Sequence, residues 1–226
     1  MNTPKLTILI PTYNRRDQLI ELLKSIEKQV HYDEYNIFIS DTHSNYDVSE
    51  SLNNNLSREF LNIIKVHSWR FNTGMSTNIS VPFLFVETEW CWVIGDDDTI
   101  TDTALSKVLN DIEDFKDVLA IKYSLENVKP AHRDIVIDNQ KDFADYYNED
   151  GRGGEMMYLS MVYNLKNLYP YSSVLTEYSY TYLSFLIPIL LGLANGGKIV
   201  FSSFGAVAYR RVTNDNWASE RYLKDL

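Results

Sequence analysis

Leu6-Thr7-Ile8-Leu9-Ile10-Pro11-Thr12-Tyr13-Asn14-Arg15 is the stretch that decides the fold class of this 226-residue chain. Its short apolar run, closed by Pro11, predicts a strand buried on both faces, the kind found in parallel sheets. Residues 17–29 follow with apolar side chains at Leu19, Ile20, Leu22, Leu23 and Ile26, a helical period. Residues 36–40 predict a second strand ending at Asp41, residues 61–67 a third and residues 90–94 a fourth. Helices are expected around 47–57 and 74–86, between those strands. Strands separated by helix-length segments imply right-handed crossovers and a mainly parallel sheet. In such sheets ligands bind outside the carboxyl ends of the strands. Here those ends carry Thr12-Tyr13-Asn14-Arg15, Asp41-Thr42-His43-Ser44 and Asp96-Asp97-Asp98, three polar clusters on one predicted edge.

Downstream the pattern is less regular. Residues 103–114 predict a helix, and 118–123 and 131–138 predict strands. Residues 148–154 read as a glycine-rich loop, and 176–194 as a helix kinked at Pro188. Residues 198–201 and 206–210 predict the last strands. The 16 tyrosines are concentrated in this half, among them Tyr146, Tyr147, Tyr158, Tyr163, Tyr169, Tyr171, Tyr178, Tyr180 and Tyr182. A ring face with a hydroxyl suits a sugar-binding wall and suits half-buried packing equally.

Composition narrows the class. Hydrophobic residues make up 45% and charged residues 23%, enough apolar side chain to offset ordering entropy, so a folded domain is expected. A net charge of -10 argues against a general nucleic-acid binder, which needs clustered Lys and Arg. The single cysteine, Cys91, excludes an internal disulfide framework and is expected to be inert core. The longest apolar run, residues 182–194, is too short for a spanning helix and is expected to face the core. With no secretory pattern at the N-terminus, the expectation is a cytoplasmic protein, with peripheral contact at the inner face of the plasma membrane kept open.

Residues 86–117 hold ten acids and two lysines, a local net of -8. Within them, three consecutive carboxylates follow an apolar strand, which is unfavourable unless a cation compensates. Such oxygen donors suit Mg²⁺ or Mn²⁺. The alternative is a solvated acidic loop; Asp102 is available to cap the next helix in either case. The neighbouring polar strand ends favour the metal site, because an anionic nucleoside diphosphate approaches carboxylates only across a bridging cation. Arg15, Arg16 and Arg70 are the candidates for additional phosphate charge.

The opening stretch and the acidic triplet together resemble family 2 glycosyltransferases with the GT-A fold, over roughly residues 5–125. Gly95-Asp96-Asp97-Asp98 takes the place of the Asp-X-Asp motif, as in bacterial capsule and O-antigen sugar transferases. Asn72-Thr73-Gly74, with Asn78, resembles the segment before that motif. The resemblance implies an α/β GT-A fold, a mainly parallel sheet with an irregular acceptor side. Residues 1–125 would bind the nucleotide-sugar donor and residues 126–226 the acceptor, in one domain, with truncation at the C-terminus kept open. It implies that Pro11, Thr12, Tyr13 and Arg15 line the nucleotide pocket with Asn72 and Gly74, that Asp41 contacts the base, and that Asp97 either points to the sugar or is a structural neighbour. Asp98, with Asp96, would hold a divalent metal, Mn²⁺ or Mg²⁺. Asp41-Thr42-His43-Ser44 departs from the family's usual acidic segment, and the Gln-X-X-Arg-Trp sequence of processive synthases is absent.

The implied activity is inverting transfer of one sugar from a nucleotide-sugar, a UDP-sugar first of all, to a hydroxyl of a surface polysaccharide or lipid-linked glycan. Inverting members use a carboxylate base, commonly in a Glu-Asp pair opening a late helix; this chain has none there. Glu177 is the first candidate by position, Asp150 the second and Glu155 the third, with residues 151–154 a candidate lid. Two other readings stay open: a sugar-phosphate nucleotidyltransferase, and a non-catalytic nucleotide-sugar or glycan-binding module.

Overall fold

In a computed structural model, residues 3–29, 32–126, 133–148, 160–181 and 183–208 are described. Among them nine strands form one mixed sheet in the order β3-β2-β1-β4-β8-β6-β9-β5, with β7 also pairing β9. β1 (Leu6–Thr12), β2 (Tyr35–Asp41), β3 (Ile64–Ser68) and β4 (Trp90–Ile94) are mutually parallel. All seven residues of β1 and all five of β4 are buried, the pattern of strands covered on both faces. β5 (Thr99–Ile100) and β7 (Ile135–Ile137) pair antiparallel with β9 (Ile199–Ala208), which runs parallel to β6 (Ala120–Leu125).

Helices cover both faces. Leu6, Ile8, Ile10, Trp90, Trp92 and Ile94 point to the side of α1 (Arg16–Glu27), α2 (Val48–Asn53), α3 (Arg58–Leu61) and, further along, α5 (Ala104–Asp114). Leu9, Cys91 and Val93 alternate to the opposite core. That core is covered by α4 (Met75–Ser80), the 3-10 turn Val81–Phe85, α6 (Gln140–Asn148), α7 (Leu165–Leu168), α8 (Val174–Glu177) and α9 (Ile187–Ala194). Burial pushes the Cys91 thiol far above its ordinary range, so it is inert core as expected.

The parallel pairs of β3-β2-β1-β4 and of β6 with β9 agree with the expected parallel core, and β8 (Ser160–Asn164), which the sequence does not announce, inserts antiparallel between β4 and β6, so the sheet as a whole is mixed. Three expectations are corrected. The helix expected over 176–194 is broken: α8 ends at Glu177, a short 3-10 turn spans Ser184–Leu186, and only then does α9 begin. Pro188 opens α9 instead of kinking it, since a first-turn N–H has no intrahelical partner to lose. Asp102 does not cap α5; Thr103 is at the N-cap, and the Gln29 side chain accepts from Leu105 N–H at 2.9 Å.

Of the segment expected to face the core, the described residues 183–194 do so, with Phe185, Leu186, Ile189 and Leu193 buried. No helix among the described residues is long and apolar enough to cross a membrane. Asp150, Glu155, Tyr158, Tyr182 and the 151–154 loop lie outside the described residues.

Candidate active site

The strand order reverses between β1 and β4: β2 and β3 are added on one side of β1, while β4 lies on the other. Such a switch point leaves a crevice at the carboxyl ends, because the two following connections leave in opposite directions. The last β1 to β4 partners are Leu9 and Val93, so Pro11 and Thr12 extend beyond β4 into that crevice.

Two residues in left-handed conformation shape its rim. Asn14 has φ 57° and His43 φ 66°, a region that Asn enters more readily than most residues. These turns tie the ends of β1 and β2 together. Asn14 N–H donates to Ser44 Oγ at 2.8 Å, and Asn45 N–H donates to Asn14 Oδ1 at 2.7 Å. Ser44 N–H donates to Asp41 Oδ1 at 3.0 Å, which fixes the buried Asp41 carboxylate against its own loop. Tyr13 projects from the rim into solvent, while Pro11 is buried.

At the crevice floor Thr12 Oγ1 donates to Asp96 Oδ2 at 2.7 Å. Arg15 Nη1 lies 3.0 Å from Asp96 Oδ1 and 2.7 Å from Asp97 Oδ2. The guanidinium is thus a cation between two of the three carboxylates, a contact that the phosphate-binding expectation for Arg15 did not include. Burial pushes the Asp96 carboxyl up to about 6, with Arg15 and Thr12 opposing that rise. Both Asp96 oxygens are therefore engaged.

Asp97 and Asp98 turn back over Gly95. Asp98 N–H donates to the Gly95 carbonyl at 3.2 Å. A Cβ on Gly95 would meet Asp97 Oδ1 at 3.0 Å and Asp98 Oδ2 at 3.1 Å, so the two carboxylates share a cradle that only glycine leaves open. Among the described residues no three His, Cys, Asp or Glu side chains converge as a ready metal site. The donor set nevertheless fits Mg²⁺ or Mn²⁺: hard carboxylate oxygens, one or two of which suffice when phosphate and water supply the rest.

Behind the floor runs a buried relay. Asn78 Nδ2 donates to the Thr12 carbonyl at 3.3 Å, Ser40 Oγ donates to Asn78 Oδ1 at 2.5 Å, and Trp69 Nε1 donates to Ser40 Oγ at 3.0 Å. It joins the ends of β1, β2 and β3 to α4. Asn72 and Gly74 form the exposed turn before α4, where Gly74, at φ 78°, donates its N–H to Asn72 Oδ1 at 2.8 Å.

Sequence reasoning missed Tyr46. Its ring lies under the Arg16 guanidinium, 4.7 Å away, so Arg16 is a stacking partner here. Burial, then the charges of Asp41 and Asp96, push the Tyr46 hydroxyl up to about 12. Only its place two residues after the second polar cluster could have suggested it. Arg70 is exposed beyond β3.

Glu177 is exposed, at the carboxyl end of the four-residue α8. It therefore closes a short helix instead of opening the late one. Among the described residues, no hydrogen bond or ion pair joins it to the 96–98 turn.

The layered sheet with a carboxylate turn at its switch point defines a GT-A type α/β protein, and solved structures share that fold. S. aureus TarS 1-349 in complex with UDP-GlcNAc superposes with a TM-score of 0.68 at 17% identity, covering 95% of this chain and 61% of that one. A second crystal structure of S. aureus TarS 1-349 gives 0.65 at 18% identity, over 91% and 60%. Mannosyltransferase PcManGT from Pyrobaculum calidifontis, in complex with GDP-Man and Mn²⁺, gives 0.60 at 11% identity, over 98% and 60%. The chain spans about three-fifths of the length of these structures. No curated protein matches it by sequence. Residues 7–183 match the family described as Glycosyl transferase family 2, and the chain belongs to that family.

Proposed function

We propose that the chain is a divalent-metal-dependent, inverting glycosyltransferase. It would move one sugar from a nucleotide-sugar, a UDP-sugar first of all, to a hydroxyl of a bacterial surface polysaccharide or lipid-linked glycan, at the cytoplasmic face of the membrane. The observation that carries this reading is the meeting of Thr12, Arg15, Asp96 and Asp97 at the switch point, with Asp98 folded back beside them. Family membership, and the UDP-GlcNAc and the GDP-Man with Mn²⁺ held by structures of the same fold, support it.

On this reading residues 1–125 bind the donor and residues 126–226 the acceptor. Pro11, Thr12 and Tyr13 line the nucleotide side with Asn72 and Gly74, and Asp41 faces the base. Asp98, with Asp96, would hold Mn²⁺ or Mg²⁺, which supplies charge neutralisation for the departing diphosphate. Arg15 keeps Asp96 and Asp97 in place and lowers the cost of gathering anions there. The acceptor hydroxyl oxygen attacks the anomeric carbon as the bond to the diphosphate breaks. The bonding pair leaves with the phosphate oxygen, and the hydroxyl proton passes to a carboxylate, Glu177 or Asp150. Positioning of both substrates and preorganised charge supply the acceleration.

Calorimetric titration of UDP, with CDP and GDP as controls, with and without Mn²⁺, on wild type and Asp98→Ala tests the donor site. Metal-dependent binding of one nucleotide that the substitution abolishes is the expected result; no binding under any condition refutes the reading. Donor binding with no transfer to any acceptor would leave a non-catalytic nucleotide-sugar-binding module. The Pro11-Thr12-Tyr13-Asn14 turn lacks the glycine-rich phosphate loop that a nucleotidyltransferase would favour.

A further inference from the structure

Among the described residues, the tyrosines of the second half differ in exposure. Tyr146 and Tyr147 pack on Phe201, and Tyr163 packs edge-on against Phe83. Those rings are spent on the core. Tyr178 and Tyr180 are not: they are 41% and 79% exposed. Their rings lie 6.5 Å apart at an interplanar angle of 29°, stacked side by side at the surface. Single exposed aromatics need no explanation, but two neighbouring rings held exposed in one short turn place apolar surface together in water.

The turn that carries them is preorganised. Tyr178 N–H donates to the Val174 carbonyl at 3.0 Å, and the Tyr178 carbonyl accepts from Thr181 N–H at 2.9 Å and Thr181 Oγ1 at 2.8 Å. A rigid platform binds with less ordering cost than a loose one.

Its place in the fold connects it with the candidate active site. β8 runs against β4, so Asn164, opposite Trp90, is at the far end of the sheet from the 96–98 turn. From there the chain passes through α7 and α8 and reaches Ser184, whose hydroxyl is hydrogen-bonded to that of Ser80 in α4. Two residues earlier in α4, Asn78 holds the Thr12 carbonyl. α8 itself packs against α4. Tyr180 is four residues before Ser184, a reach of at most about 14 Å along an extended chain. The platform also flanks Glu177 directly in sequence.

We propose that Tyr178 and Tyr180 form a saccharide subsite, on which pyranose rings of the acceptor stack. A pyranose presents an apolar face of C–H groups edged by hydroxyls, matching a flat aromatic surface with phenol hydroxyls at its rim. The assignment rests on the glycosyltransferase reading for the name of its ligand, but saccharide binding by the platform is measurable without catalysis.

The test is saturation-transfer NMR titration of methyl hexopyranosides, methyl N-acetylhexosaminides and their linear trisaccharides, with UDP and Mn²⁺ present and again without them. The variants are Tyr178→Ala/Tyr180→Ala, Tyr178→Phe/Tyr180→Phe and, as a control, Tyr169→Ala, a residue 77% exposed on a 3-10 turn elsewhere. We expect at least one saccharide to bind wild type and the alanine pair to weaken it about tenfold or more. The phenylalanine pair should stay within about threefold, the control should be unchanged, and UDP affinity should be equal in all. The platform is overturned if no saccharide binds wild type, if the alanine pair binds as well as wild type, or if the control loses as much as the alanine pair. Loss of UDP binding in wild type, with saccharide binding intact and sensitive to the alanine pair, would refute the donor reading and leave the platform standing.

Discussion

Replacing Arg15 by Met removes the guanidinium between Asp96 and Asp97 and keeps the apolar stem. Asp96 is buried and its carboxyl is already pushed up to about 6 by that burial. Its folded value therefore exceeds the unfolded 3.8, so its contribution to stability is fully present below about 3.8 and is lost as pH rises through about 6. A rise from 3.8 to about 6 corresponds to about 3 kcal/mol of cost at pH 8 in the metal-free protein. Without Arg15 the folded value climbs further, and the loss continues to higher pH. Breaking a buried pair on one side costs about 3–5 kcal/mol. Arg15 keeps 12% of its side chain exposed and Asp97 25%, so we expect about 2–3 kcal/mol at pH 8. At pH 5 Asp96 is mostly protonated in both proteins, and the difference should fall below about 1 kcal/mol. The assay is urea unfolding in EDTA at pH 5, 6.5 and 8, with Asp96→Asn and the double variant completing a cycle. Asp96→Asn should recover at least half of the Arg15→Met loss. A loss independent of pH, or one that Asp96→Asn does not relieve, would refute the reasoning.

Gly95→Ala places a Cβ against Asp97 Oδ1 and Asp98 Oδ2 and should weaken metal-dependent UDP binding about tenfold or more, read by calorimetry; unchanged affinity would count against the carboxylate cradle. Asn78→Ala leaves the buried Ser40 hydroxyl without its acceptor and removes one of the donors to the Thr12 carbonyl, so stability should fall by about 1–3 kcal/mol in urea unfolding, and UDP affinity should fall with it. Gly192→Ala meets Leu119 Cδ1 at 2.5 Å in the core below α9. It should cost about 1–3 kcal/mol in urea unfolding and leave UDP affinity unchanged, because the strain is remote from the switch point.

The first half was legible because its elements are written in local patterns. β1 and β4 are short apolar runs and α1 repeats apolar residues at a helical period, so each element's type follows from its own residues. Their alternation implies the parallel side of the sheet, and hence the edge where Thr12, Asp41 and Asp96 gather. Strand bounds moved by a few residues only, as for β3, expected over 61–67 and found at Ile64–Ser68.

What tertiary structure alone decided is which groups face one another. β8, Ser-Met-Val-Tyr-Asn, carries three apolar residues in five, and its strand conformation comes from edges offered by β4 and β6. The apolar 182–194 run predicts burial correctly but not its break at Ser184, whose hydroxyl meets Ser80, 104 residues away in the chain. Arg15 reads as a phosphate ligand from its place after β1, yet burial beside Asp96 and Asp97 makes it their counter-ion. The same holds for Tyr46 and for the division of tyrosines into core and surface. Periodicity reports how a residue relates to its neighbours in sequence, so it gives elements and their inward faces. Pairing of charges and the exposure of a ring depend on groups brought together across the sheet, and no local pattern encodes those.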